Sequence, residues 1–115
     1  MKSRILALAL LLALAAAAAD VSGKWRAEFK TADGTARVNT FTLKQSGEKV
    51  TGTVAGSQDE TAIENGVIKG DDVSFSAHRP VGQFTYKGKV SGDQIKFSVT
   101  RDGTPFEMTA KRISK

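Results

Sequence analysis

Cysteine is absent from this 115-residue chain, and histidine, tryptophan and tyrosine occur once each. Without thiols there is neither a disulfide framework nor a thiolate zinc site. The single histidine, His78, stands beside Arg79-Pro80 at a strand end, on the polar side of the alternation. No nucleophile on a sharp turn and no orienting carboxylate accompany it, so a Ser-His-Asp arrangement has no support. The strand acids Glu28 and Glu107 both fall on the outward parity, whereas glycosidase chemistry needs two carboxylates flanking a cleft. Asp59-Glu60 and Asp71-Asp72 lack the spaced ligands of a calcium loop and read as turn formers. No glycine-rich loop leads into a helix, which excludes a nucleotide-phosphate cradle. The sequence therefore predicts no catalytic residue, no metal site and no cofactor.

Long apolar runs are almost missing too. The one example, Ile5 to Leu14, is preceded by Lys2 and Arg4 and followed by Ala17-Ala18-Ala19. That order of charge, apolar stretch and small residues predicts a signal peptide over 1–19, cleaved before Asp20, and a secreted or periplasmic domain over 20–115. The run is too short to span a bilayer comfortably, so no membrane span is expected. The two charges at the N-terminus belong to the signal; the remainder carries 15 basic against 12 acidic residues, a net charge near +3.

What is present from Asp20 onward is alternation and turns. Corners at Ala32-Asp33-Gly34, Ser46-Gly47-Glu48, Gly56 to Glu60, Lys69-Gly70-Asp71, Pro80-Val81-Gly82, Ser91-Gly92-Asp93 and Arg101-Asp102-Gly103 carry the residues that accept positive φ or bond their own backbone. Between them run Trp25/Ala27/Phe29, Phe41/Leu43, Val50/Gly52/Val54, Val73/Phe75/Ala77, Phe84/Tyr86, Ile95/Phe97/Val99 and Phe106/Met108/Ala110, each with period two. Thr61 to Lys69 makes a weaker eighth strand: Ile63 and Ile68 differ in parity, which predicts a bulge or tight bend at Asn65-Gly66. Val38 and Phe41 suggest a similar irregularity in the second strand. No window has helical periodicity. The predicted fold is all-β, a single antiparallel up-and-down meander of about eight strands.

An internal repeat agrees with this. Gly70-Asp71-x-Val73-x-Phe75 returns as Gly92-Asp93-x-Ile95-x-Phe97, and Arg79, Phe84 and Tyr86 are matched by Arg101, Phe106 and Met108. The period is one hairpin unit. All eight aromatics lie on the inward parity, interspersed with Ala27, Gly52, Ala77, Gly88 and Ala110. Large beside small residues fill the taper of a narrow barrel, and closure removes two exposed edges that no helix is available to cover. A closed small barrel is predicted.

Gly23-Lys24-Trp25 at the start of the first strand resembles the Gly-x-Trp opening of the calycins, the lipocalin and avidin barrels. The resemblance implies that Trp25 plugs one barrel end, with Arg112 of the last strand against it and Gly23 as a structural residue. The chain also resembles small exported bacterial domains of unassigned function. The shared pattern is carried by Ser22–Trp25, Phe41–Lys44, Val50–Val54, Gly70–Phe75, Tyr86–Phe97 and Phe106–Arg112. This second resemblance implies a fold and a compartment, and no activity.

Two functional expectations follow, both non-enzymatic. A small apolar or amphipathic ligand would sit at the open end near Phe75, Ala77, Tyr86 and Gly88, with the Tyr86 hydroxyl as polar handle. Alternatively, a packed barrel without ligand would meet a protein or an anionic envelope partner through a basic outer wall that includes Arg26, Lys87, Lys89 and Lys96. Nucleic acid is not expected, because stacking aromatics would have to face outward.

Overall fold

The computed structural model describes residues 20–31 and 33–115; the predicted signal peptide lies outside the described residues. Among the described residues, alternating inward and outward side chains produce nine strands: β1 (Gly23–Lys30), β2 (Ala36–Ser46), β3 (Lys49–Ala55), β4 (Glu60–Ala62), β5 (Glu64–Lys69), β6 (Asp72–Arg79), β7 (Gly82–Ser91), β8 (Gln94–Arg101) and β9 (Thr104–Ser114). The strands β4 and β5 are two halves of one kinked stave. Each stave pairs antiparallel with its sequence neighbour, and β9 returns to β1, closing an eight-stave barrel. Among the described residues no helix is long and apolar enough to cross a membrane.

The kink has a local cause. Asn65 sits at φ 55° and the β5–β6 register shifts between Glu64 and Val67. The inserted residue brings Ile63 and Ile68, of opposite parity in sequence, onto the same packed core. The expected irregularity in the second strand does not occur. The β1–β2 register runs without a shift from Gly23↔Leu43 to Lys30↔Ala36, and Val38 points outward at 39% exposure. Asn39, rather than Val38, takes the inward place next to Phe41, on its open-end side.

Inside, Phe41 contacts Phe75, Tyr86 and Phe97, with ring centroids 5.1–6.0 Å apart. The small inward residues make room for these rings. A Cβ on Gly88 would lie 2.6 Å from Ile95 Cγ2 and 2.8 Å from Phe97 Cε1. Gly88→Ala is therefore expected to overpack the core and lower stability by about 1–3 kcal/mol in urea denaturation. A neutral result would mean that the Phe97 ring can move aside.

The two ends of the barrel differ. At the end where β1 begins, Trp25 is fully buried and its Nε1–H donates to the Val21 carbonyl at 2.9 Å. The Arg112 guanidinium lies over the indole, 4.2 Å from the ring centroid. It also donates to the carbonyls of Ser22 and Asp20 and to the Asp93 carboxylate. Gly23, at φ 134°, lets the chain pass directly under Ser114 and Arg112, where a Cβ would collide with the Ser114 carbonyl. This end is shut. The other end, bounded by the β1–β2, β3–β4, β6–β7 and β8–β9 connections, is open.

Candidate functional site at the open barrel end

The inward parity that places aromatics at mid-barrel continues upward into polar residues. On β6 the series Val73, Phe75, Ala77 ends on Arg79; on β8 Ile95, Phe97, Val99 ends on Arg101; on β2 Leu43 and Phe41 lead to Asn39 and Arg37. The side chains of Arg37, Asn39, Arg79 and Arg101, with those of Phe29, Phe84 and Phe106, line a wide-mouthed cavity of about 1310 Å³. Its apolar floor is formed by the three rings, with Phe106 5.7 Å from Phe29 and 6.5 Å from Phe84.

An ion pair ties the end of β6 to the β3–β4 loop at this mouth. Arg79 presents two parallel N–H groups to Asp59, Nε to Oδ2 and Nη2 to Oδ1, each at 3.0 Å. Such bidentate forks are stronger and more directional than single contacts. Thr61 donates to the same carboxylate at 3.3 Å, and Gly56 N–H closes the loop on the Asp59 carbonyl. A Cβ at position 56 would sit 2.6 Å from Arg79 Nη2 and 2.8 Å from Asp59 Oδ1, so a larger residue there would have to displace the fork. The remaining Arg79 nitrogen faces the Tyr86 hydroxyl at 3.5 Å. The faces of Phe84 receive both arginines, with Cζ of Arg79 at 5.0 Å and of Arg101 at 5.9 Å from the centroid.

Electrostatics follow from this geometry. The hydrogen bond from Arg79 holds the Asp59 carboxyl below its ordinary value, whereas burial pushes the Tyr86 phenol upward. In the β1–β2 turn, the hydroxyls of Thr31 and Thr35 hold Asp33 at about 2. Because the folded pKa of Asp59 lies below its unfolded value, its contribution is complete above the unfolded pKa and is lost as pH falls through the folded one. Thermal melts should therefore be insensitive to this pair between pH 5 and 7, approximate bounds set by ordinary carboxylate titration, and fall below about pH 4. Asp59→Asn should flatten that acid limb; an unchanged limb would place the acid sensitivity elsewhere.

The residues expected to hold a ligand lie apart from this cavity. Phe75, Ala77, Tyr86 and Gly88 are packed beneath the cavity and do not line it. Ala77 and Gly88 lie on opposite sides of the Phe75–Tyr86 rung, so they never shared one strand end. The space above Gly88 is occupied by Ile95 and Phe97. Only the Tyr86 hydroxyl approaches the site, through Arg79. On the outer wall, Arg26 pairs with Glu28, and Lys89 pairs with Asp72 at 3.0 Å. Lys87, Lys89 and Lys96 border a shallow groove of about 440 Å³ that also contains Asp72, so part of its charge is already neutralised. Sequence reasoning missed Arg37, Asn39, Asp59, Arg79 and Arg101 as a group. The available signal was parity: Arg79 and Arg101, matched in the repeat, both continue an inward series.

Comparison with known proteins finds no matching family, no matching curated protein and no matching solved structure. The case for function rests on the site itself.

Proposed function

We propose that this protein is an exported, non-enzymatic binding module of calycin-like build that holds a small apolar or amphipathic molecule at its open barrel end. The observation that carries the reading is the asymmetry of the barrel. One end is sealed by Trp25 and Arg112, while the other keeps a cavity of about 1310 Å³ over three aromatic rings. Small-molecule sites combine such a concave, mostly apolar surface with a few fixed polar groups. Here the Arg79–Asp59 fork supplies the fixed groups, joining the end of β6 to the β3–β4 loop 20 residues earlier.

Binding to the native state raises its melting temperature by mass action. A panel of hydrophobic dyes and short-chain amphiphiles should therefore raise the melting temperature by several degrees. Phe106→Ser should weaken that binding about tenfold, because it removes a floor ring worth more than a kcal/mol of contact. Changing Lys87, Lys89 and Lys96 together to Gln should leave it unchanged. If no member of the panel binds, the pocket reading fails. Salt-sensitive binding of an anionic polymer that disappears in the lysine variant would then favour an envelope partner on the outer wall.

A further inference from the structure

We propose that the ligand of this cavity carries an anionic oxygen head group, such as a carboxylate or sulfonate, received by Asn39 and Arg37, while its apolar part rests on Phe29, Phe84 and Phe106. This inference deepens the pocket reading and rests on it. Its starting point is Asn39. The side chain is 97% buried by its 3% exposure, it lines the cavity, and its Nδ2 has no hydrogen-bond partner among the described residues. An orphaned buried amide donor is costly, and native structures leave few of them. The donor is itself closed off from solvent, but its side chain lines the open cavity, so an acceptor pressed against that wall would satisfy it.

The charges around it choose the kind of acceptor. Lys30, Arg37, Arg79 and Arg101 border the cavity against Asp59 and Asp102. Asp59 is committed to Arg79 by two hydrogen bonds, and Asp102 accepts the Gln83 N–H across the neighbouring turn. Arg101 spends only its Nε–H, on the Val81 carbonyl at 2.9 Å. Arg37 has no carboxylate within ion-pair distance among the described residues. It shares the inward face of β2 with Asn39, one pleat further up the wall. A neutral acceptor would satisfy Asn39 alone, but an anionic one satisfies the amide and the unpaired guanidinium together. A cationic head would meet a net positive rim. The two acids cannot offset this, because one is already paired and the other is tied into a turn.

Octanoate, octanol and octyltrimethylammonium share one tail and differ in head charge, and they separate this inference from the pocket reading. Titration calorimetry at low ionic strength should rank octanoate about tenfold tighter than octanol, as a charge-assisted bond in place of a neutral one implies. Octyltrimethylammonium should bind weakest. In Arg37→Gln, an exposed change that does not threaten folding, the gap between octanoate and octanol should shrink about three- to fivefold, as a partly screened surface charge allows. In Asn39→Leu, which removes the orphaned donor, the gap should shrink again and lose little of its remainder to added salt. Equal binding of all three molecules, or a preference that survives both substitutions, overturns the anionic-head inference and leaves the pocket standing. Failure of all three to bind overturns the pocket and this inference together.

Discussion

Replacing Trp25 by alanine is expected to destabilise the barrel by about 3–5 kcal/mol, the range for truncating a fully buried large aromatic. Three losses combine at this position. The indole is fully buried and fills the closed end; its Nε1–H satisfies the Val21 carbonyl; and Arg112 spreads its guanidinium over the ring at 4.2 Å. Alanine leaves a void, an unpaired carbonyl and a cation without its aromatic face. A domain has a total stability of about 5–15 kcal/mol, so this one change would remove between about a fifth and all of it. Urea denaturation followed by circular dichroism measures the loss, and wild-type Trp25 fluorescence should be blue-shifted and shielded from quenchers. A cost below about 1 kcal/mol, within the range of ordinary surface substitutions, would mean that the closed end is held by its backbone pairing alone.

The second large effect is expected at Asp59. Removing one partner of a buried ion pair costs about 3–5 kcal/mol, because the other charge is left in a poorly solvated place. Here the Arg79 side chain is only 6% exposed, but Asp59 is 19% exposed and faces the open cavity. Water can partly replace the carboxylate, and the expected cost of Asp59→Ala is about 2 kcal/mol. The double variant Asp59→Ala/Arg79→Met should recover much of this, since methionine fills similar space over Phe84 without a charge. The resulting coupling distinguishes a true pair from two independent contributions. Strictly additive losses would show that Arg79 is held by Tyr86 and Phe84, and that Asp59 serves only to shape its own loop.

The pair also links stability to the site. Asp59 orders the β3–β4 loop, and Arg79 stands over Phe84, one of the three floor rings. Weakening either partner should therefore loosen the mouth before it loosens the sealed end, where Trp25 and Arg112 are independent of both.

The sequence by itself determined the all-β class and the meander and favoured closure, whereas the pairing of β9 with β1 that closes the barrel is a fact of the tertiary structure. Period-two alternation assigns each side chain to a face, glycine and aspartate mark the corners, and a domain sequence without helical periodicity favours closure as the protection of its edges. The repeat that pairs Gly70–Phe75 with Gly92–Phe97 appears as two successive hairpin units, and the parity break near Asn65 appears as a bulge. Position along the barrel axis was decided by the tertiary structure alone. Parity states that Tyr86, Gly88 and Arg79 face inward, but only register states that Gly88 lies under Phe97 and that Arg79 stands at the rim. The partners at the mouth are likewise distant in the chain: Asp59 and Arg79 are 20 residues apart. Asn39 is also buried without a partner for its amide only because β1, β2 and the Gly56 loop converge there. Alternation along a strand encodes which way a side chain points. How deep it lies, and what it meets there, depends on strand register around a closed sheet, which no single strand contains.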